Sequence, residues 1–263
     1  MKRKSKLIDN IFNEGERLIP GVTHDITELI RHRSSYMFIK KIMDLDLMMG
    51  TVSRPVRVVD LGCGVGDGCY SLSEIKGAEI VGVDITLACW EYARKYYNKS
   101  NISYEEMDLT EYITSMVEFD YVVSRGVFEH IPNGLELAFM AKRKYRLIFN
   151  VPYDEPKGNP HHVLFGICEE DFKPFSNAEL FFEDLEGRTF DMHMKPVKPN
   201  MITCVCSQPG LPKVSEMLKF PLPAWTPKTM SLTSDSQNRG IVSKWIREIF
   251  TKKTFRDWEG YFR

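Results

Sequence analysis

Three histidines, three aspartates and a run of glycines are the residues here whose types and spacing could do chemistry. His130, His161 and His162 carry imidazole, the side chain suited to taking a proton near neutral pH. Asp60 and Asp84 each stand near the end of an apolar run, and Asp108 at the end of a third strand-like segment, where a strand would present them at one edge of a sheet. Between the first two lies Gly62-Cys63-Gly64-Val65-Gly66-Asp67-Gly68, with glycine at every second position. A turn without Cβ atoms bends sharply and lets a ligand approach bare backbone N–H groups. A carboxylate closing the second strand, as Asp84 does, accepts hydrogen bonds from both hydroxyls of a ribose. Its alternative use is as the cap of the helix that follows.

Several ligands use such a turn. A phosphate-binding P-loop needs Lys-Ser or Lys-Thr after its last glycine, and neither is present. The dinucleotide fingerprint would place its third glycine where Asp67 stands. The segment Asp60-Leu61-Gly62-Cys63-Gly64-Val65-Gly66 instead resembles motif I of class I S-adenosylmethionine (SAM) methyltransferases. Asp84 follows Gly64 by twenty positions. Ile102 to Leu109 ends in Asp108, where that class places a group near the adenine amine. Phe119 to Ile131 looks like motif IV of its small-molecule branch. The resemblance covers roughly residues 15–206 and implies SAM as cofactor. It implies contacts from Asp60, Gly62, Cys63, Gly64 and Gly66, from Asp84 and Ile85, from Asp108 and Leu109, and from Ser124 and Arg125. Arg125 has other uses open to it, on the substrate or on a surface carboxylate.

These residues need elements to hold them. Strands are expected near 56–61, 79–84, 102–107, 119–123 and 145–151, with helices near 66–76, 86–98 and 134–144. That alternation predicts a parallel sheet with right-handed crossovers. Leu180 to Asp184 and Met201 to Cys206 read as two last strands, joined without room for a crossover helix and therefore antiparallel. The resemblance implies an α/β Rossmann-like sheet of seven strands, order 3-2-1-4-5-7-6, with helices on both faces. Residues 51–207 would form this SAM-binding domain, 1–50 a helical lead-in or cap, and 208–263 an extension.

In the lead-in, Gly15-Glu16-Arg17-Leu18-Ile19-Pro20-Gly21 is a loop signal, and Ile26 to Leu47 reads as a helix. With His32-Arg33-Ser34-Ser35-Tyr36 the segment resembles the start of a methyltransferase group whose members are often encoded beside enzymes that build surface sugars. Arg33 is the candidate to fork onto the SAM carboxylate; its other reading is a solvated helix face. In the extension, Gly240 to Lys252 carries an apolar stripe. Residues 239–263 hold seven Lys/Arg against three Asp/Glu. Such a helix either packs on its own domain or rests on a membrane surface.

The 263 residues, 43% hydrophobic, are ample for one full core. A net charge of −1 provides no general attraction to nucleic acid, so no DNA partner is expected. No apolar run reaches the length of a membrane span, and the basic start lacks the apolar segment of a secretory signal. Six scattered cysteines without a C-x-x-C pair read as reduced thiols of a cytoplasmic protein.

Methyl transfer from a sulfonium is an in-line displacement that asks mainly for positioning and exclusion of water. An oxygen nucleophile must also lose its proton, so His130, His161 and His162 are the catalytic candidates. The resemblance, not spacing, brings forward the last two. Glu169 and Asp171 follow them, but the spacing fits no standard zinc or iron pattern, and no metal is expected. Ser124-Arg125-Gly126 stands where nucleobase amino methyltransferases carry an Asp/Asn-Pro-Pro-Tyr/Phe segment. The acceptor expected is a small molecule or glycan intermediate, at oxygen. The alternatives are a methyltransferase of protein or RNA, a non-catalytic SAM-fold partner subunit, and an NAD enzyme.

Overall fold

The computed structural model describes residues 2–22 and 26–226. At its centre is an eight-stranded sheet in the order β3-β2-β1-β4-β5-β8-β6-β7. Its strands are β1 (Val56–Leu61), β2 (Ala78–Asp84), β3 (Ile102–Glu106), β4 (Phe119–Arg125), β5 (Arg143–Pro152), β6 (Ala178–Asp184), β7 (Thr189–Phe190) and β8 (Pro199–Ser207). The first five pair in parallel, while β8 runs antiparallel to both β5 and β6. The expected antiparallel pair at the far end is therefore present.

The sheet has one strand more than the seven expected. After Asp184 the chain turns and lays Thr189–Phe190 back on Phe182 and Glu183. Asp184 organises the turn by accepting the N–H groups of Glu186 and Arg188 at 3.0 and 2.9 Å. A two-residue strand has no side-chain period, so its sequence shows nothing to read.

Side-chain alternation in the central strands divides the core. Val56 and Val58 join one apolar cluster with Ile39, Ile42 and Met43 of α2 (Ile26–Met48). Val59 and Leu61 join another, with Tyr112 and Ile113 of α5 (Leu109–Ser115) and Leu137 and Ala138 of α6 (Gly134–Met140). Helices thus cover both faces. A smaller cluster ties α1 (Lys2–Asn13) and Ile19 to the glycine turn at Val65 and to α4 (Leu87–Tyr96) through Ala88, Cys89 and Tyr92.

Other differences from the expected elements are local. The helix after the glycine turn, α3 (Asp67–Leu72), is shorter than expected. The helix α5 was not expected at all; Asp108 caps it by accepting from Thr110 and Glu111 N–H. Val214 of the short α7 (Val214–Met217), with Leu218 and Leu222, belongs to the α2-side core, so the chain up to Trp225 forms one compact unit. The apolar stripe at 240–252 lies outside the described residues. No helix among the described residues is long and apolar enough to cross a membrane.

Candidate functional site

The carboxyl ends of β1, β2, β3, β4 and β5 share one sheet edge, where open α/β sheets bind ligands. There β1 passes into the glycine turn. Gly62 and Cys63 N–H donate to the Val83 carbonyl at 2.8 and 3.0 Å. Gly64, at φ +53°, aims its N–H at Asp84 Oδ2, 2.9 Å away. A Cβ on Gly62 would stand 2.4 Å from Val127 of the β4 loop, so the turn and that loop close on each other only with glycine here.

The Asp84 carboxylate is buried at this junction. Its Oδ1 accepts the Thr86 N–H at 2.9 Å, and the Arg17 guanidinium stands 3.7 Å away. Arg17 also donates to Thr86 Oγ1, and its Cδ lies above Gly64. The lead-in therefore reaches over the turn with one cation. Ile85 beside it is an exposed apolar side chain. Asp108 uses Oδ1 to cap α5 and is otherwise exposed, while Leu109 is buried in the core.

Asp60 and Cys63 are placed differently from the rest of the expected cofactor set. Asp60 is fully buried beneath the turn, where Tyr36 Oη donates to both its oxygens at 3.1 and 3.0 Å and Cys69 Sγ lies 3.3 Å from Oδ2. Burial pushes its carboxyl up to about 7, against the hydrogen bonds from Cys69 and Tyr36. Its oxygens are thus turned to α2 and α3. Cys63 Sγ is likewise turned inward, towards Gly82. Ser124 spends its hydroxyl on the Leu61 carbonyl at 2.8 Å. Arg33 forks onto Asp67, with contacts of 3.2 and 2.9 Å, and lies over the Trp225 ring. Its guanidinium thus sits at the end of the glycine turn but already holds a carboxylate.

Beyond β4 the site becomes a buried polar belt that the sequence did not announce. Arg125 binds Glu28 at 2.9 Å and Ser35 Oγ at 3.3 Å. Ser35 donates to Glu183 at 2.7 Å and lies 3.2 Å from Asn150 Nδ2. Glu183 Oε1, Asn150 Oδ1 and His32 Nδ1 are buried without a hydrogen-bond partner among the described residues. Burial, opposed by Arg125, carries Glu183 up to about 7. Burial, helped by Arg125, holds His32 down at about 3 and so neutral. Glu28, Glu183 and Asn150 come from α2, β6 and β5, segments far apart in sequence.

The three histidines separate into two roles. His130 and His162 meet edge to face with ring centroids 4.6 Å apart. The His161 ring points to the surface, and its contribution is a carbonyl that His130 Nδ1 contacts at 2.8 Å. His162 Nδ1 pairs with Glu155. The loop carrying His162 is pinned to the β4 turn because the Glu129 carbonyl accepts the N–H groups of Val163 and Leu164 at 2.9 and 3.0 Å. Burial lowers His130, leaving it an unprotonated base at neutral pH. The Glu129 carboxyl is buried beside them and pushed up to about 8 by that burial. Glu169 and Asp171 do not join this group: Glu169 binds Tyr153 Oη and Lys195, and Asp171 closes a local turn on the Cys168 N–H.

Residues 58–146 match a family described as a methyltransferase domain. The chain is 28% identical over 133 residues to a ubiquinone biosynthesis O-methyltransferase of Bradyrhizobium diazoefficiens, covering 44% of this chain and 50% of the relative. It is 26% identical over 139 residues to phosphoethanolamine N-methyltransferase 1 of Zea mays, covering 52% and 25%. The matches thus span half or less of these curated relatives' length. A crystal structure of WbdD shares the fold at 22% identity and a TM-score of 0.50, over 75% of this chain and 46% of that one.

Proposed function

We propose that this chain, whose residues 58–146 match a methyltransferase-domain family, is a class I SAM-dependent methyltransferase that moves the methyl group of SAM to an oxygen of a small molecule or glycan intermediate. The observation that carries this reading is the sharing of one sheet edge. Gly64 and Asp84 form a cradle for a nucleoside at β1 and β2, and the His130–His162 pair stands across the Val127 contact at β4. The sulfonium is already a good leaving group, so the protein's work is to align nucleophile, methyl carbon and sulfur and to exclude water. The acceptor hydroxyl also needs its proton removed, and an unprotonated imidazole at that edge suits the task. In the transfer the acceptor O–H bond breaks, the new O–CH3 bond forms, and the C–S bond breaks to leave a neutral thioether.

Curated relatives are named for small acceptors, a ubiquinone precursor and phosphoethanolamine, one methylated at oxygen and one at nitrogen. The histidine pair supports oxygen, because an amine acceptor carries its own lone pair once neutral. The polar belt of Arg125, Ser35, Asn150 and Glu183 supports an acceptor rich in hydroxyl groups. The six free thiols fit a reducing compartment, and we place the reaction in the cytoplasm.

Methyl-labelled SAM offered with phenols, sugar derivatives and small amines, followed by mass analysis of the products, tests the reading. Label is expected on oxygen. Label found on the amines alone would overturn the oxygen assignment.

A further inference from the structure

We propose that Glu129, His130 and His162 form a site for a single divalent transition-metal ion, two imidazole nitrogens and one carboxylate oxygen supplying its protein ligands. One donor atom from each of the three lies within 4.8 Å of the other two. The sequence hides this grouping, since His162 arrives from a loop more than thirty positions after Glu129.

Proximity alone would not make a site; the outer contacts do. His130 Nδ1 faces the His161 carbonyl, an oxygen that only accepts, so the proton sits on Nδ1 and the Nε2 lone pair is left for a ligand. His162 Nδ1 faces the Glu155 carboxylate, with the same consequence for its Nε2. A histidine whose second nitrogen donates to a carbonyl or carboxylate is oriented as metal-binding histidines are. His162 Nε2 meets Asn159 Nδ2 at 3.3 Å, a donor that the lone pair can exchange for a cation, and lies 3.7 Å from Glu16 Oε2.

Glu129 is the independent observation. The residue is 2% exposed, yet its Oε2 has no hydrogen-bond partner among the described residues. A buried carboxyl oxygen left without a partner is unfavourable, and a metal ion answers it directly. Its position is also fixed. Phe128 packs edge to face on Phe149 at 5.3 Å, and the Glu129 carbonyl holds the Val163 and Leu164 N–H groups, which keeps the His162 loop against the turn.

Two imidazoles and one carboxylate match Zn2+, Fe2+ or Mn2+ with open positions, rather than the all-oxygen shell of Mg2+ or Ca2+. A use for the ion rests on the function proposed above and takes the place of the imidazole base there, since a metal-bound Nε2 has no lone pair left: at the acceptor edge the ion would acidify a coordinated hydroxyl, whose proton leaves to water before oxygen takes the methyl group.

The test is a titration of chelator-treated full-length protein with Co2+, read by visible absorption, with SAM affinity measured on the same samples. One saturating equivalent with ligand-field bands and no thiolate charge-transfer band is expected. Glu129→Gln and His162→Ala should each weaken Co2+ at least tenfold while SAM affinity is retained, and Cys168→Ser should leave Co2+ binding unchanged. His162 lies in a loop, so its variant keeps the proposal testable if Glu129→Gln fails to fold. No saturable binding, a thiolate band, or affinity indifferent to both substitutions would overturn the site. Retained SAM binding in that case would leave the methyltransferase reading standing.

Discussion

Asp84 carries more of the proposed cofactor binding than any other side chain. Its two oxygens accept the Gly64 and Thr86 N–H groups, each with further acceptor capacity, and Arg17 stands 3.7 Å from Oδ1. Asp84→Ala is expected to weaken SAM at least about 100-fold, since charge-assisted hydrogen bonds contribute about 1.5–3 kcal/mol each; calorimetry checks it. His130→Ala and His162→Ala should leave SAM affinity unchanged and slow turnover about 100-fold or more, read by single-turnover methyl transfer. Glu183 makes a prediction in pH. Its folded pKa of about 7 lies above the ordinary 4.5, so the native state holds a proton that the unfolded chain releases between those values. The stability it contributes is complete below the lower value and lost as pH rises through the upper one. Denaturant midpoints should therefore fall from pH 5 to pH 8, and fall less in Glu183→Gln. A Glu183→Gln midpoint that drops as steeply as the wild type would exclude this role. At this scale motif spacing brings Gly64 and Asp84 forward, and the resemblance brings forward His161 and His162, while the meeting of His130 with His162 appears only in the fold. The sequence could not reveal Arg17, Glu28, Ser35 or Glu183, whose meeting depends on how α2 and β6 cross the sheet edge. Nor could it show that Asp60 lies under the turn, which follows from Tyr36 occupying both of its oxygens.

The helix α2 is the element that binds the sheet to its site. Its middle supplies Ser35 and Tyr36 to the carboxyl edge, and near its end Asp46 meets Arg146 of β5 in a fully buried fork of 2.8 and 2.7 Å. Tyr121 Oη donates to the same carboxylate at 2.9 Å, and Arg146 also reaches the Pro212 carbonyl, so α2, β4, β5 and the chain after β8 share one junction. Arg146→Ala removes the counter-charge of the fully buried Asp46, leaving it only the Tyr121 hydroxyl, and should cost about 3–5 kcal/mol. Replacing both partners, as Asp46→Leu with Arg146→Met, should cost much less, because neither charge is then stranded; equilibrium denaturation of the three proteins compares them. Equal losses in the single and double variants would show that packing, not charge, governs the junction. The length of α2 was legible from its apolar spacing. Its buried Asp46 was not, since an aspartate on a helix reads as solvated until its partner a hundred residues away is placed.

At the scale of the whole molecule, a doubly covered α/β sheet puts every strand-to-helix turn of its parallel half on one edge. That geometry, rather than any single residue, gathers the glycine turn, Asp84, the β4 loop and the loop after β5. The parallel strands were readable because most of them are apolar runs that alternate regularly with helical segments, polar β3 being read from its place in that alternation. The two-residue β7 and the seven-residue α5 were not, because neither is long enough to establish a period. Binding of SAM to this edge is the claim on which the site, the proposed reaction and the metal all converge. Isothermal titration of the full-length protein with SAM, its demethylated product and NAD tests it most directly. One equivalent of SAM and of the demethylated product should bind, NAD should not, and Asp84→Ala should abolish the heat of both. Failure of SAM and its product to bind at millimolar concentration, or NAD binding that Asp84→Ala removes, would contradict it.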